Sequence, residues 1–260
     1  MTGEEILREN PADAFRGPRR PHRIRPRATE EEMERIIAST IHSSFPERDR
    51  LILELGYGSG LRDDELANIQ LEDFIGGDEL LVSKGKGHKQ RIVLLTEPAR
   101  QALKLYLKKR KRILRKHCEA RELKSQGYSW QEIANRLNRK YGLTLTWAAY
   151  RNHARKETRG HITSLFFGLS GGQINGLDPR SIRRIVTKSA LAAGVPWLRP
   201  HDLRRAFATH MDENGASHPV IQRLLGHKLL STTEGYIAAS SPERLKATYL
   251  RARAAHPQAP

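Results

Sequence analysis

Residues 200–211, Pro-His-Asp-Leu-Arg-Arg-Ala-Phe-Ala-Thr-His-Met, form the stretch from which the rest of the chain is best interpreted. Its apolar residues recur at helical spacing and predict a helix with one inward side, formed by Leu203, Phe207 and Met211. His201 and Arg204 stand near the start of this helix, on one face and about one turn apart. A single histidine at a helix start is more often a cap or a hydrogen-bonded core group, so it is the pairing with Arg204 that suggests a site.

Two further motifs follow this helix along the chain. Leu225-Gly-His227 has a glycine where a helix would stop, and Tyr236 lies in Ser-Thr-Thr-Glu-Gly-Tyr. Two histidines, an arginine and a tyrosine in this order predict a site around one phosphodiester. The arginine would neutralise its oxygens, the histidines would donate hydrogen bonds, and the tyrosine hydroxyl would attack phosphorus. A tyrosine buried in the core is the ordinary alternative for Tyr236.

Arg62 and Lys86 are two cationic candidates upstream of this helix. Arg62 lies in Gly58-Ser-Gly-Leu-Arg-Asp-Asp-Glu-Leu66, and its ordinary interpretation is a surface ion pair with Glu65 worth under about 1 kcal/mol. Lys86 lies in a Lys- and Gly-rich hairpin turn, where a flexible ammonium could reach a leaving oxygen or could simply be solvated. The glycines before Arg62 do not make a dinucleotide fingerprint, because Leu61 stands where the third glycine would be.

The late histidines do not match a metal site. The spacing of His201, His210, His218 and His227 fits no short ligand motif, and the sequence contains neither paired cysteines nor His-Glu-x-x-His. A phosphate-binding P-loop motif is also absent from the sequence. We therefore expect no metal and no other cofactor.

The charge of the chain indicates a polyanionic partner. Lysine and arginine total 46 against 29 acidic residues, which gives a formal charge of +17 over 260 residues. Nucleic acid is the commonest partner that relieves such an excess, and a generic solubilising surface is the alternative. Cys118 is the single cysteine, and no apolar run approaches the roughly 20 residues that span a bilayer. We expect a soluble protein of a reducing cytoplasm, without membrane association.

The pattern of elements predicts an α+β fold that is mainly helical. Residues 1–28 read as a basic arm rich in Pro and Arg, and Thr29-Glu-Glu-Glu32 has the spacing of a capping box at the start of a first helix. Strands are predicted over 79–83 and 90–95, joined by the Lys- and Gly-rich turn, and they form one small sheet. The other predicted elements are helices over 47–55, from Asp63, over 98–116 and from 179 onward.

Residues 117–158 look like a helical insertion within that fold. The segment Gly-Tyr-Ser-x-x-Glu-Ile-Ala-x-x-Leu, over residues 127–137, resembles helix-turn-helix DNA-binding units. A third helix would then present four residues to a DNA groove, namely Thr146, Trp147, Tyr150 and Arg151. Ordinary helical hairpins show the same pattern, so a purely structural insertion stays open.

Five motifs in register carry a specific resemblance. In chain order they are Gly-Leu-Arg62-x-x-Glu65-Leu, Gly-Lys86-Gly-x-Lys-x-Arg, His201-x-Leu-Arg204, Leu-Gly-His227 and Ser-Thr-Thr-x-x-Tyr236. With them the chain resembles the tyrosine recombinase (phage integrase) family from about residue 28 to 250, apart from the insertion. The resemblance implies a catalytic domain over 29–255 with a small three-stranded antiparallel sheet, and an enzyme that cuts and rejoins DNA.

The resemblance also implies a role for each catalytic residue. Tyr236 would be the nucleophile, leaving a 3′-phosphotyrosyl enzyme and a free 5′-hydroxyl. Arg62 and Arg204 would clamp the nonbridging oxygens, and Glu65 would hold Arg62 or a neighbouring histidine in position. The remaining roles are proton movement at the tyrosine for His201, a hydrogen bond to the phosphate for His227, and general acid catalysis at the departing 5′-oxygen for Lys86.

The expected partner is double-stranded DNA, bound by a homotetramer across two DNA sites. The residues expected to contact that DNA are Lys84, Lys89, Arg91, Arg205, Trp147, Tyr150 and Arg151. An accessory DNA-bending or directionality protein would be a further partner. Residues 241–250 predict a last helix that docks either on a neighbouring subunit or on its own core.

Two departures from the family pattern and two rival functions stay open. Only the basic arm precedes the catalytic region, so the resemblance is to compact members that lack the N-terminal core-binding domain; the insertion is the second departure. A type IB topoisomerase-like relaxing activity would use the same covalent chemistry. A non-catalytic DNA-binding regulator would not need Tyr236. The expected location is the prokaryotic cytoplasm, in association with the nucleoid.

Overall fold

The computed structural model describes residues 28–83, 90–141, 146–154, 163–170, 173–226, 246 and 249–251. Short 3₁₀ turns lie at Ser39–His42 and Leu71–Asp73. The helices and strands are, in chain order, α1 (Glu30–Ala38), α2 (Pro46–Gly58), α3 (Asp63–Asn68), β1 (Phe74–Gly76), β2 (Glu79–Val82), β3 (Arg91–Leu94), α4 (Glu97–Ser125), α5 (Trp130–Tyr141), α6 (Trp147–Ala154), β4 (Phe167–Ser170), β5 (Gln173–Gly176), α7 (Pro179–Ala192), α8 (Pro200–Glu213) and α9 (His218–Leu225). The predicted α+β class, mainly helical, is confirmed.

Helix α1 begins with the capping box that the sequence predicts. The Thr29 hydroxyl accepts a hydrogen bond from the Glu32 backbone N–H at 3.2 Å, and the Glu32 carboxylate accepts one from the Thr29 N–H at 2.9 Å. Two backbone donors at the start of the helix are thereby satisfied. Met33 and Ile36 follow on the inward side and are fully buried.

Helix α2 is the centre of the main core. Every residue from Leu51 to Gly58 is buried, as in a helix that is enclosed on all sides by other elements. Helices α4 and α8 pack along it, and α1 and α7 contact its flanks. The helix extends beyond the predicted Leu55 to Gly58 because its last turn is also enclosed, with Tyr57 bonded to His210 at 2.9 Å.

Strands β1, β2 and β3 form an antiparallel sheet in that order, as the resemblance implied. Strands β2 and β3 pair through Leu80↔Val93 and Val82↔Arg91. Side chains alternate between the two faces of a strand, so Arg91 shares the inward face with the fully buried Val93, whereas Ile92 is 45% exposed. A second antiparallel hairpin, formed by β4 and β5, was not predicted.

Helix α4 joins two hydrophobic cores. It is 29 residues long, or about 43 Å at the usual rise per residue. Its first half packs Ala99 and Tyr106 into the main core, and its last turns pack into a second, smaller core. The predicted end at residue 116 was wrong, because the helix continues to Ser125 to build this second core. The buried residues of the second core are Ala120, Ile133, Ala134, Leu137 and Tyr150.

The described residues of the C-terminal segment pack on the chain's own core. Tyr249 is 1% exposed, and its hydroxyl donates a hydrogen bond to the Gly58 carbonyl at 2.8 Å. Lys246 forms an ion pair with Asp78 at 2.9 Å. At these positions the segment therefore docks on its own core. This is one of the two alternatives that the sequence left open, the other being a neighbouring subunit. Among the helices of the described ranges, none is both long and apolar enough to cross a membrane.

Candidate active site

Arg204 lies at the base of the candidate site and is 2% exposed. Helix α8 directs its guanidinium toward the loop after α2 and the end of α9. One terminal nitrogen donates a hydrogen bond to the Gly60 carbonyl at 2.6 Å, and the other donates one to the Leu225 carbonyl. These acceptors are uncharged, so they orient the guanidinium without neutralising its positive charge.

Gly60 is a position that only glycine fits. Its φ is +64°, and a Cβ added there would lie 2.8 Å from a Phe207 ring carbon and 2.9 Å from a Leu225 methyl carbon. The tight turn aims the Gly60 carbonyl at Arg204. The glycine-rich segment before Arg62 thus serves to place an acceptor, and no dinucleotide motif is involved.

Glu65 connects two of the arginines. It is 4% exposed, lies in the first turn of α3, and accepts the Arg62 backbone N–H at 2.9 Å and the Arg62 guanidinium at 2.8 Å. The first contact caps α3, and the second holds the Arg62 side chain, which is 26% exposed. The contact with Arg62 is one of those that the resemblance implies for Glu65, whereas the catalytic role of Arg62 stays a prediction.

Arg91 completes the cluster from strand β3. Its two terminal nitrogens donate to the two Glu65 carboxylate oxygens, both at 2.7 Å, and its Nε donates to the Leu224 carbonyl at 2.8 Å. The side chain is only 11% exposed. The predicted role of Arg91 as a surface contact to DNA therefore disagrees with its position, because all of its nitrogens already bind groups inside the protein.

The charges in this cluster do not balance. Burial by itself raises the pKa of Glu65, but the hydrogen bonds and charge of Arg91, together with the hydrogen bonds of Arg62, lower that pKa to about 2. Burial and the nearby charges of Arg62 and Arg91 lower the pKa of Arg204 to about 9, although Glu65 raises it in part. Both groups are ionised at neutral pH, so three guanidinium groups share one carboxylate. An anion bound beside Arg204 would relieve this repulsion.

The end of α9 is held by the same arginines. The carbonyls of Leu224 and Leu225, which have no partner within the helix, accept hydrogen bonds from Arg91 and Arg204 respectively. Gly226 ends the helix with a φ of +62°, and a Cβ added there would lie 3.0 Å from the Arg91 Cδ. Arg91 and Arg204 therefore fix the C-terminal end of α9.

The other predicted site residues fall into two groups. His201 is exposed in the first turn of α8, and Arg205 is 39% exposed with an Asp202 contact at 3.3 Å. The structure thus brings Arg62, Glu65, Arg91 and Arg204 together and leaves His201 and Arg205 toward solvent. Five of the predicted residues lie outside the described ranges, namely Lys84, Lys86, Lys89, His227 and Tyr236.

The structure separates Tyr150 from the other residues of the insertion that were predicted to contact DNA. Tyr150 is 2% exposed, and its hydroxyl donates to the Asn138 side chain at 3.0 Å, so its predicted place on a DNA-facing surface is wrong. Its ring is part of the second core, which holds α6 on α5. Trp147 is 42% exposed, and the Arg151 guanidinium lies 4.8 Å from its ring centroid.

Sequence reasoning missed the internal role of Arg91, although a signal for it was present. The alternation along β3 places Arg91 on the same face as Val93. An arginine on an inward face requires an acidic partner, because an unpaired buried charge is costly. Glu65 was the acidic residue already singled out near Arg62.

The sequence profile of the phage integrase family matches residues 26–243. Two curated relatives are both named tyrosine recombinase XerC. The one from Syntrophus aciditrophicus is 34% identical over 221 residues, covering 83% of this chain and 57% of the relative. The one from Thermodesulfovibrio yellowstonii is 36% identical over 191 residues, covering 73% of this chain and 50% of the relative. The chain thus spans about half the length of the curated relatives that it matches.

Solved structures show the same fold. The XerA recombinase crystal structure matches with a TM-score of 0.55 and 24% identity, covering 90% of this chain and 67% of that one. The integrase from mycobacterium phage Brujita matches with a TM-score of 0.53 and 19% identity, covering 94% of this chain and 63% of that one. The profile match extends over most of the chain, and it includes the arginine cluster just described. The chain therefore belongs to the phage integrase family.

Proposed function

We propose that this chain is a site-specific DNA recombinase that cuts and rejoins DNA through a covalent 3′-phosphotyrosyl intermediate. The observation that carries the proposal is the environment of Arg204, a buried guanidinium oriented by two carbonyls and placed beside Arg62 and Arg91. Fixed donors with excess positive charge favour the phosphoryl group more strongly as negative charge develops on its oxygens. Membership in the phage integrase family and the names of the XerC relatives support the same activity.

In the proposed reaction, the phenolic oxygen of Tyr236 forms a bond to phosphorus as the bond from phosphorus to the 5′-oxygen breaks. His201 assists removal of the tyrosine proton, and Lys86 donates a proton to the departing 5′-oxygen. Arg62 and Arg204 neutralise the nonbridging oxygens, and His227 donates a hydrogen bond to one of them. A 5′-hydroxyl from another strand reverses the attack. The phosphotyrosyl bond retains the energy of the cut linkage, so the proposed reaction uses no ATP and no metal.

The proposal includes the assembly and place of action. Strand exchange needs two DNA sites, so we propose a homotetramer that holds two duplexes, with an accessory DNA-bending or directionality protein as a further partner. The high positive charge suits association with the nucleoid in a prokaryotic cytoplasm. Arg205 and the lysines at 84 and 89 remain proposed contacts to the DNA backbone.

The test is the trapping of a covalent adduct. Binding sites are first selected from a pool of randomised DNA duplexes, and the selected sequence is then built into a nicked suicide substrate. We expect the wild-type chain to form a protein–DNA adduct that resists denaturant, and we expect Tyr236→Phe and Arg204→Ala to form none. Tyr249→Phe is the matched control, because the Tyr249 hydroxyl is bonded to the Gly58 carbonyl inside the core and should not act as a nucleophile.

Each of the other outcomes would indicate a different nucleophile or a different activity. An adduct that persists in Tyr236→Phe would require another nucleophile. Sequence-specific binding without any adduct would favour a DNA-binding regulator. Relaxation of supercoiled plasmids without dependence on the selected site would favour a type IB topoisomerase-like activity.

A further inference from the structure

The insertion forms a small module with its own core. We define the insertion module as residues 115–141 and 146–154, which comprise the last turns of α4 together with α5 and α6. Its core residues contact one another and form a cluster separate from the main core. Tyr106 in the main core and Ala120 in the second are about 21 Å apart along α4 at the usual rise per residue. The module thus lies beyond the main core.

Local contacts fix the orientation of α6 within the module. Ser129 and Glu132 cap the start of α5 through hydrogen bonds of 2.7–3.3 Å. The hydroxyl of Tyr150, buried in the second core, then joins α6 to Asn138 of α5 at 3.0 Å. Trp147 and Arg151 lie roughly 60° and 100° around the helix axis from Tyr150, so they flank the buried ring.

Trp147 and Arg151 form a pair on the flank of α6, with Trp147 exposed and Arg151 half-buried. They are four residues apart and therefore neighbours on the helix surface. The guanidinium of Arg151 lies 4.8 Å from the ring centroid of Trp147, which is 42% exposed. Within the described part of the chain, Arg151 forms no ion pair, and its Nε is buried without a hydrogen-bond partner. An exposed aromatic ring and a half-buried guanidinium thus lie side by side on one short helix.

The charge of the module selects the kind of partner. Its few carboxylates are largely engaged, since Glu119 binds Lys140 at 2.9 Å and Glu132 caps α5. The surface of the insertion module is therefore basic. The cores of most protein–protein interfaces differ from it, because charged residues are depleted there. The basic residues of the module are Arg115, Lys116, Arg121, Lys124, Arg136, Arg139, Lys140 and Arg151, against the acidic residues Glu119, Glu122 and Glu132.

We infer that the insertion module is a second DNA-binding surface, with α6 lying in the major groove and Trp147 and Arg151 as its central contacts. A single α-helix fits that groove, which is about 12 Å wide. The inference rests on the proposed function for the identity of the nucleic acid, duplex DNA. Since the module is displaced along α4, it binds a DNA segment other than the one held at the arginine cluster.

The experiment measures the affinity of the full chain for DNA. The probe is a fluorescein-labelled mixed-sequence duplex of about 40 base pairs, or roughly four helical turns. The test variant is Trp147→Ala/Arg151→Ala. The matched control is Tyr128→Ala/Arg136→Ala, which removes another arginine stacked on an exposed aromatic ring, with 5.4 Å from guanidinium to ring centroid, on a different element of the same module. Circular dichroism and thermal melting establish that each variant is folded.

We expect the α6 variant to bind the duplex about tenfold more weakly than the wild type, with a salt dependence whose log–log slope falls by about one. The control pair should bind like the wild type. Equal losses in the two variants would mean that only the total charge matters and would overturn the inference. Wild-type affinity in the α6 variant would also overturn the inference. The module would then be interpreted as a surface that binds a protein partner. If the melting temperature of the double variant is well below that of the wild type, Arg151→Gln is used in its place. This variant keeps Trp147, and the expected results are the same.

Binding is measured without strand cleavage, which separates this inference from the proposed function. A wild-type chain that binds DNA through α6 but forms no covalent adduct would contradict the recombinase proposal alone. A chain that forms the adduct while its α6 variant binds normally would contradict the second surface alone.

Discussion

Arg91 and Glu65 form a two-point ion pair, with both nitrogen–oxygen distances at 2.7 Å. The pair joins strand β3 to helix α3, and the Nε of Arg91 joins both to the Leu224 carbonyl at the end of α9. The Arg91 side chain therefore links Glu65, which holds Arg62, to α9, the helix that precedes His227 in the sequence. We expect Arg91 to be a positioning residue that acts through Glu65 without touching DNA.

Loss of this pair should destabilise the fold. Arg91→Gln leaves the buried Glu65 carboxylate with one cationic partner fewer, and we expect the free energy of unfolding to fall by about 3 kcal/mol. Urea unfolding measures it. Arg183→Gln is the matched control, because the Arg183–Asp63 pair is formed by a side chain that is 54% exposed, and its loss should cost less than about 1 kcal/mol. Equal costs for the two substitutions would contradict the buried role of Arg91.

Arg91→Lys should separate positioning from DNA contact. Lysine keeps the charge but cannot make the two parallel hydrogen bonds or reach Leu224 with the same geometry. We expect adduct formation to slow by about ten- to a hundredfold at saturating DNA, while the DNA dissociation constant stays near that of the wild type. If the affinity falls and the rate at saturation does not, Arg91 contacts DNA directly.

The stability contributed by Glu65 should depend on pH in the acid range. Its folded-state pKa of about 2 lies below the ordinary value of 4.5, so the contribution is complete above pH 4.5. As pH falls below that value, the unfolded chain takes up a proton first, and the contribution is lost as pH passes through about 2. The gap in unfolding free energy between the wild type and Glu65→Gln should shrink over this window. A difference in unfolding free energy that stays constant over this pH range would contradict the lowered pKa of Glu65.

Arg204 should bind simple anions. Sulfate at ionic strength matched with chloride should raise the melting temperature of the wild type by a few degrees, because an anion relieves the repulsion among the guanidinium groups. The shift should be lost in Arg204→Ala and reduced in Arg62→Ala, which removes a less buried side chain. Since Arg204 loses its proton above about pH 9, the shift should hold at neutral pH and decline as pH rises through that value. An unchanged shift in both variants would place the anion elsewhere.

Gly226→Ala should slow adduct formation by more than the backbone strain at residue 226 explains. Both Gly226 and Gly215 have positive φ, at +62° and +79°, so alanine at either position costs about 1–2 kcal/mol. A Cβ at residue 226 would also lie 3.0 Å from the Arg91 Cδ, whereas one at residue 215 meets nothing within 4 Å. We expect only Gly226→Ala to slow adduct formation, with Gly215→Ala as the control in the same assay. Equal rates in the two variants would exclude coupling through Arg91.

Prediction from sequence succeeded where the determining contacts are local. The capping box at Thr29 joins residues three positions apart, and the strands around the Lys- and Gly-rich turn pair close in the chain. Prediction failed where burial depends on distant elements. The end of α4 was misplaced because its last turns are stabilised by α5 and α6, and Tyr150 was assigned to a surface although it fills the second core.

The amino-acid order alone determined the family, the helical character of the chain and most element positions, because spacing and turn chemistry are properties of neighbouring residues. Only the tertiary structure decided which cations are buried and which face solvent. Arg91 and Leu224 are 133 positions apart, and Arg204 and Gly60 are 144 apart, so no local pattern reveals that they touch. The charge excess at Arg204 arises from these long-range contacts, because burial and repulsion depend on what the folded chain places side by side.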